Sequence, residues 1–204
     1  IGKENIPPEG RFIFASNHPL GALDGVALIR FFGHFYSGKI KFLVNDLLMH
    51  IKPLAPVFLP INKYGSQAKE SSLQINNAYE SDEQMLIFPA GLCSRLQHGK
   101  IKDLEWKKTF IAKAVQSQRD IIPIYFEGRN STFFYRFAQI RKCIGLKFNI
   151  ELIYLPDEMF NSKNKTFDIY IGKPIPWQTF DKSKSLQEWA QIVKEKVYQI
   201  KKNQ

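Results

Sequence analysis

The 204 residues of this chain include 29 Lys and Arg against 19 Asp and Glu, which gives a formal charge of +10, and 44% of the residues are hydrophobic. This length suits one full hydrophobic core, so a single domain over residues 1–204 is expected, and the start at Ile1 suggests a missing upstream segment. Two cysteines without a paired spacing argue against a disulfide framework and a zinc site, and no run of about 18 apolar residues predicts a membrane span or signal peptide.

Short apolar runs alternate with helical periodicity along the chain. Strands are predicted at residues 12–15, 41–44, 57–61, 85–88, 121–126, 148–155 and 167–171. Helices are predicted at residues 26–36, 47–51, 66–81, 106–115, 133–144 and 186–200, the last after a capping box, and residues 92–103 are expected to form a loop. This alternation predicts an α/β fold in which a largely parallel mixed sheet is covered by helices on both faces.

A histidine lies where the first predicted strand ends. His18 is followed by Pro19, Gly21 and, six residues on, Asp24. On one continuous helix a six-residue separation turns by about 600°, so the two side chains can meet only across a turn. Such a pair suits general base catalysis, since a carboxylate fixes the tautomer of the imidazole and stabilises the imidazolium. The alternative is a histidine with a structural role only.

Two separated motifs resemble the glycerolipid (lysophospholipid) acyltransferase family. Asn17-His18 with Asp24 resembles its N-H-x-x-x-x-D block, and residues 88–95 (F-P-A-G-L-C-S-R) resemble its F-P-E-G-T-R-S block. Residues 57–63 occupy the place of the second block, and residues 121–124 resemble a later proline-containing strand block. The resemblance covers about residues 10 to 130, with the motifs in the family's order.

The resemblance implies an acyltransferase-like fold and an enzyme that moves a fatty acyl group from a thioester to the hydroxyl of a lyso-lipid. It makes His18 the base and Asp24 its partner, with backbone N–H groups around Gly91 as oxyanion donors. No metal or cofactor is implied; an acyl carrier protein or CoA thioester is the co-substrate. The positive charge fits an acidic carrier protein and an anionic membrane, which predicts a peripheral enzyme on the cytoplasmic face of the inner membrane. The expected substrate-binding residues are Asn17, Lys63, Gly91, Ser94 and Arg95.

Departures from the family pattern concern the acceptor. Ala90, Leu92 and Cys93 stand where the family has Glu, Thr and Arg, Lys63 replaces Arg, and the His-to-Asp spacing is one residue longer. Loss of the Arg at the Cys93 position removes a charged fork that suits phosphate, which disfavours lysophosphatidic acid. The variant motifs resemble a bacterial haemolysin-like subgroup, some members of which O-acylate lyso forms of amino-acid lipids. A lyso-glycine or lyso-ornithine lipid is therefore the expected acceptor.

Several alternatives stay open at this point. The chain could be a 1-acylglycerol-3-phosphate acyltransferase, a non-catalytic lipid-binding member of the family, or a basic nucleic-acid-binding module. Its cations are scattered and no nucleic-acid motif appears, so nucleic acid is not the expected partner. Cys93 is an alternative nucleophile, with packing as the favoured interpretation. Residues 133–142 suit either an interfacial membrane helix or a core-facing helix with a solvated basic face.

Overall fold

A computed structural model describes residues 1–44, 51–61, 67–146 and 148–203. Lys63 and most of the helix predicted over residues 47–51 lie outside these ranges. The described residues form an α/β fold around a six-stranded sheet. The six strands are β1 (Phe12–Ser16), β2 (Ile40–Val44), β3 (Phe58–Pro60), β4 (Gln84–Ile87), β7 (Asp120–Phe126) and β8 (Ile169–Ile171), and the short strands β5 (Arg95–Gln97) and β6 (Lys100–Lys102) pair separately. The strand order in the main sheet is β3-β2-β4-β1-β7-β8.

The sheet is parallel except at one edge. Each neighbouring pair from β3 to β7 is parallel, and β8 runs antiparallel to β7. The prediction of a largely parallel mixed sheet is confirmed. In such a sheet the carboxyl ends of the parallel strands share one edge, and ligands of open α/β sheets bind there.

Helices cover both faces of the sheet, as predicted. The helices are α1 (Leu23–Phe35), α2 (Gln67–Glu80), α3 (Thr109–Ser117), α4 (Thr132–Cys143), α5 (Leu155–Phe160) and α6 (Leu186–Ile200). Alternate residues of β1 enter two different cores: Ile13 packs with residues of α2, α3 and α6, whereas Phe14 packs with residues of α1. Because β1 is buried along its whole length, its run of apolar residues is continuous rather than alternating with polar ones.

Two segments differ from the prediction. The strand predicted over residues 148–155 is wrong, since a 3₁₀ helix (Ile150–Tyr154) leads there directly into α5. Pro156 lies in the first turn of α5, where its missing N–H costs nothing. The loop predicted over residues 92–103 contains a small hairpin of β5 (Arg95–Gln97) and β6 (Lys100–Lys102).

The capping box predicted at the start of α6 is confirmed. The Ser185 hydroxyl accepts a hydrogen bond from the Glu188 N–H at 3.2 Å, and the Glu188 carboxylate accepts one from the Ser185 N–H at 2.7 Å. Replacing Ser185 by Ala should lower the free energy of unfolding by about 1 kcal/mol, because the Glu188 N–H loses its partner. Urea denaturation measures the change. Ser185→Thr keeps the hydroxyl and should stay close to wild type; an equal loss in both variants would contradict the capping role.

Candidate active site

The predicted base lies at the carboxyl edge of the sheet, directly after β1. Asn17 fixes this position: its Nδ2 donates to the Phe126 carbonyl at 3.0 Å, and its Oδ1 accepts from the Phe126 N–H at 2.6 Å. The Asn17 amide therefore ties the end of β1 to the end of β7 and holds the backbone from which the His18 side chain projects. Direct contact between Asn17 and a substrate stays a prediction.

Asp24 meets His18 across the turn, as the spacing predicts. The His18 Nδ1 lies 3.0 Å from the Asp24 Oδ2, and the Asp24 side chain is fully buried. Gly21, in the left-handed region at φ 81°, lets the chain reverse between the two residues. This turn accommodates the one extra residue between His18 and Asp24 relative to the family motif.

Backbone donors and the helix position keep Asp24 in place. Its Oδ2 accepts a hydrogen bond from the Leu20 N–H at 2.9 Å, and its Oδ1 accepts one from the Gly25 N–H at 2.9 Å. Asp24 also lies in the first turn of α1, where the helix dipole favours a negative charge. An ionised carboxylate can only accept hydrogen bonds, so Nδ1 of His18 carries the proton and Nε2 has a free lone pair. This arrangement suits a general base, and the catalytic role of the pair stays a prediction.

The imidazole is further held by an aromatic ring. The His18 ring stacks on Phe88 with the ring centroids 3.8 Å apart and 15° between the ring planes. Phe88 comes directly after β4, so the second motif supplies one wall of the site. Since 14% of the His18 side chain is exposed, the ring is fixed but remains accessible to a substrate.

A buried carboxylate that sequence reasoning missed connects the two motifs. The Asp103 Oδ1 accepts hydrogen bonds from the His18 N–H at 3.2 Å and the Ser94 hydroxyl at 2.5 Å, and its Oδ2 accepts one from the Trp106 indole N–H at 2.8 Å. The Ser94 N–H donates to the His18 carbonyl at 2.7 Å. Ser94, predicted to bind substrate, therefore positions His18 through Asp103; contact with substrate stays a prediction.

The environment of Asp103 predicts a pH dependence of stability. Burial raises the pKa of the Asp103 carboxyl above its ordinary value of 3.8, and the hydrogen bonds from Ser94 and Trp106 oppose this only in part. The folded state therefore binds more protons than the unfolded state between the two pKa values, and stability falls as pH rises through that window. Asp103→Asn removes this loss, so its melting temperature should rise relative to wild type as the pH increases above the ordinary carboxyl pKa of about 4.

Ser94→Ala should enlarge the pH dependence of stability that Asp103→Asn removes. Loss of the Ser94 hydroxyl removes a hydrogen bond that lowers the pKa of Asp103. The fall in stability with rising pH should then extend to higher pH than in wild type. If the melting temperatures of wild type and Asp103→Asn change in parallel across the pH range, Asp103 is not the source of the pH dependence.

The predicted oxyanion turn is formed, but the Gly91 N–H is already used. It donates to the Phe88 carbonyl at 2.9 Å, and Gly91 has φ 69°. The N–H groups of Leu92 and Cys93 make no hydrogen bond to any described residue, so these two donors are better placed than Gly91 to bind an oxyanion. Lys107 covers the turn: a Cβ built on Gly91 would lie 2.7 Å from the Lys107 Nζ. The oxyanion role stays a prediction.

Arg95 takes part in a buried charge triad. Its Nη2 lies 2.8 Å from the Glu151 Oε1, and the Arg141 Nε lies 2.8 Å from the Glu151 Oε2. The Glu151 side chain is fully buried, whereas the two arginine side chains are 11% and 12% exposed. Because one carboxylate faces two guanidiniums, the triad carries a net charge of +1. Contact of Arg95 with a substrate stays a prediction.

The surroundings of Cys93 favour packing over nucleophilic chemistry. The side chain is buried, and the Arg95 Nη1 donates to its Sγ at 2.8 Å. Burial raises the pKa of the Cys93 thiol, which Arg95 opposes only in part, so the reactive thiolate is disfavoured. Across the described residues, no cluster of three His, Cys, Asp or Glu side chains could hold a metal ion, and none of the helices has the length and apolarity to cross a membrane.

The whole chain is similar to known proteins. A model of the family described as Acyltransferase matches residues 1–204. The chain is 57% identical over 199 residues to a lyso-glycine lipid O-acyltransferase of Bacteroides thetaiotaomicron, covering 98% of this chain and 73% of the relative. It is 54% identical to the protein of the same name from Phocaeicola vulgatus, covering 98% of this chain and 71% of that relative.

A solved structure shows the same fold. The crystal structure of the 1-acyl-sn-glycerophosphate (LPA) acyltransferase from Thermotoga maritima matches with a TM-score of 0.58 and 19% sequence identity. The match covers 98% of this chain and 70% of that protein. At this identity the likeness concerns the fold alone.

Proposed function

Because this chain belongs to the acyltransferase family, we propose that it transfers a fatty acyl group from a thioester to the hydroxyl of a lyso-glycine lipid. The observation that carries the chemistry is the His18–Asp24 pair, 3.0 Å apart at the carboxyl edge of the sheet. The acceptor is supported by two relatives at 57% and 54% identity that are named lyso-glycine lipid O-acyltransferases.

The reaction follows from the geometry of the pair. The Nε2 of His18 takes the proton from the acceptor hydroxyl while the hydroxyl oxygen attacks the thioester carbonyl carbon. Asp24, held by backbone N–H groups, stabilises the imidazolium that forms. The tetrahedral intermediate then collapses, the C–S bond breaks, and the thiolate takes the proton back from His18. The products are an ester and a free thiol, and no covalent acyl-enzyme is needed.

The charges beside the site support an acceptor without phosphate. Ala90, Leu92 and Cys93 carry no charge, and Arg95 shares its guanidinium with Glu151. A phosphate dianion would meet the Lys107 ammonium beside Gly91, but not the bidentate fork of an unshared guanidinium, since Arg95 is paired with Glu151. The single carboxylate of a glycine head group has half the charge to compensate.

The donor and the location are part of the proposal. The formal charge of +10 favours docking of an acidic acyl carrier protein, with CoA thioesters as the alternative donor. The same charge favours an anionic lipid surface, and a lyso-lipid acceptor resides in such a surface. We place the enzyme as a peripheral protein on the cytoplasmic face of the inner membrane.

An acceptor comparison tests this proposal. Wild-type protein is supplied with an acyl carrier protein thioester or a CoA thioester and with acceptors that share one acyl chain but carry a glycine, ornithine or phosphate head group. We expect kcat/KM for the lyso-glycine lipid to exceed that for lysophosphatidic acid by at least about tenfold. A preference for lysophosphatidic acid would overturn the acceptor. A folded protein that leaves the thioester intact with all three acceptors would support a non-catalytic lipid-binding role instead.

A further inference from the structure

Helix α4 is apolar on two sides. Phe134, Tyr135 and Ala138 are buried, and Phe134 and Tyr135 pack against Cys93. A second stripe on the same helix faces outward at the spacing i, i+7, i+11, with Phe133 54%, Ile140 58% and Ile144 65% exposed. The outward stripe leaves large side chains in contact with solvent, although the inward side already provides the packing.

Exposed apolar side chains also follow the helix in the sequence. Seven of the thirteen exposed large hydrophobic side chains among the described residues lie between residues 133 and 160, so the exposure is concentrated rather than scattered. Phe133 and Phe137 both contact Tyr154, at ring-centroid distances of 5.2 and 5.5 Å, which joins α4 to the 3₁₀ helix before α5. We call this surface the apolar platform: Phe133, Ile140, Ile144, Leu146, Phe148, Ile153 and Phe160.

The segment that carries the apolar platform contacts the catalytic turn through residues next to the platform. The Asn130 Nδ2, just before α4, donates to the Leu20 carbonyl at 3.3 Å. At the start of α5, Leu155 packs against the turn, since a Cβ built on Gly21 would lie 2.9 Å from the Leu155 Cδ2. Both contacts fall between His18 and Asp24, so the segment that carries the platform also forms one side of the site.

Exposed cations accompany the platform. Arg136 and Lys142 on α4 and Lys163 and Lys165 after α5 are all exposed. Two of the three carboxylates among the described residues 131–165 are engaged, as Glu151 is buried between two arginines and Glu158 accepts hydrogen bonds from Ser131, whereas Asp157 is exposed. Large apolar side chains bordered by Lys and Arg match the interface of a bilayer that contains anionic lipids.

We propose that the apolar platform is the surface by which this enzyme lies on an anionic lipid bilayer. The aromatic and aliphatic side chains enter the boundary between head groups and acyl chains, and the flanking cations contact the anionic head groups. The His18–Asp24 turn then faces the bilayer, so the hydroxyl of a lyso-lipid reaches His18 without the lipid leaving the membrane. This inference rests on the proposed function in one respect, namely that the acceptor is a membrane lipid.

Vesicle binding tests the surface. Sedimentation with phosphatidylcholine vesicles and with vesicles that also contain phosphatidylglycerol is compared for wild type and the double variant Phe148→Asp, Phe160→Asp. These two side chains are 81% and 72% exposed, so their replacement should leave folding intact. We expect wild type to bind the anionic vesicles more tightly than the phosphatidylcholine vesicles, and this binding should weaken as salt is added. The double variant should bind the anionic vesicles with an affinity at least about tenfold lower than wild type.

A matched control places the same charges elsewhere. Leu73 on α2 and Leu186 on α6 are exposed apolar residues outside the platform. The double variant Leu73→Asp, Leu186→Asp should bind the vesicles as wild type does. Equal loss in both double variants would overturn the proposal, since general charge repulsion would then explain it. The proposal would also be overturned if neither double variant changed vesicle binding. It would likewise be overturned if wild type were a dimer and only the platform double variant, Phe148→Asp with Phe160→Asp, dissociated it.

A soluble acceptor separates this inference from the proposed function. With a short-chain, water-soluble lyso-acceptor, the platform variant should retain the wild-type rate, whereas with the acceptor embedded in anionic vesicles its rate should fall. If the rates of the platform variant fall equally with both acceptors, the platform is not the membrane-binding surface. Absence of transfer by wild type to any acceptor, together with vesicle binding that depends on the platform, would refute the proposed function and leave the surface assignment standing.

Discussion

Replacing His18 by alanine is expected to lower kcat for acyl transfer by about 10³-fold, with little change in the KM of either substrate. The variant loses the Nε2 lone pair that takes the proton from the acceptor hydroxyl, while the binding surfaces remain. The rate of free thiol release in the presence of acceptor measures the effect. The small loss of packing against Phe88 should leave the fold intact.

His34→Ala is the matched control. His34 is exposed on α1, the helix that also carries Asp24, and its side chain makes no hydrogen bond to a described residue. Its replacement should leave kcat at the wild-type value. If His18→Ala keeps a rate within about tenfold of wild type, His18 is not the base, since general base catalysis contributes more than that.

Replacing Glu151 by alanine is expected to lower the free energy of unfolding by about 3–5 kcal/mol. Glu151 is fully buried and is the carboxylate that faces both Arg95 and Arg141. Its removal leaves two largely buried guanidiniums next to each other without a counter-charge. The expected loss is large because the remaining charges keep the cost of their burial but lose the attraction that offset it. Urea denaturation followed by circular dichroism measures the loss.

An exposed glutamate gives the comparison for this variant. Glu195 lies on the solvent side of α6, and Glu195→Ala should change stability by less than about 0.5 kcal/mol. Equal unfolding midpoints for Glu151→Ala and wild type would show that the triad contributes nothing to stability. Glu151→Gln, which keeps the shape but loses the charge, should fall between wild type and Glu151→Ala.

The central strands could be predicted because their environment leaves a local signal. Strands β1, β4 and β7 are largely buried on both faces, so each contains a continuous apolar run. The residues that follow each strand, such as Asn17 and Pro89, interrupt that run. The boundaries are therefore visible in the sequence, and the His18–Asp24 turn is visible with them.

The local sequence pattern predicts the wrong structure where a segment contacts residues that are distant in the sequence. Residues 148–152 (F-N-I-E-L) alternate apolar and polar residues like a strand, yet Ile150–Tyr154 is a 3₁₀ helix in which Glu151 is buried against Arg95 and Arg141. The hairpin of β5 and β6 carries a weak local signal that was missed. Its two turn residues, His98 at φ 47° and Gly99 at φ 75°, are typical of a type I′ turn.

The tertiary part of the site could not be predicted from spacing. Asp103 reaches His18 across 85 residues of sequence, and nothing around it resembles a catalytic motif. The periodicity of α4 predicted a helix correctly but could not orient it, because both the Phe134 side and the Phe133 side are apolar. Only the packing of Phe134 against Cys93 decides which side turns inward.

The most direct test of the account is the fate of the acyl group when wild-type protein is mixed with an acyl carrier protein thioester and a lyso-glycine lipid. Mass spectrometry of the lipid should show one new acyl chain in ester linkage to the hydroxyl, with an equal amount of free thiol and no mass added to the protein. Consumption of the thioester with the acyl group on the protein, or an unchanged lipid under these conditions, would contradict it.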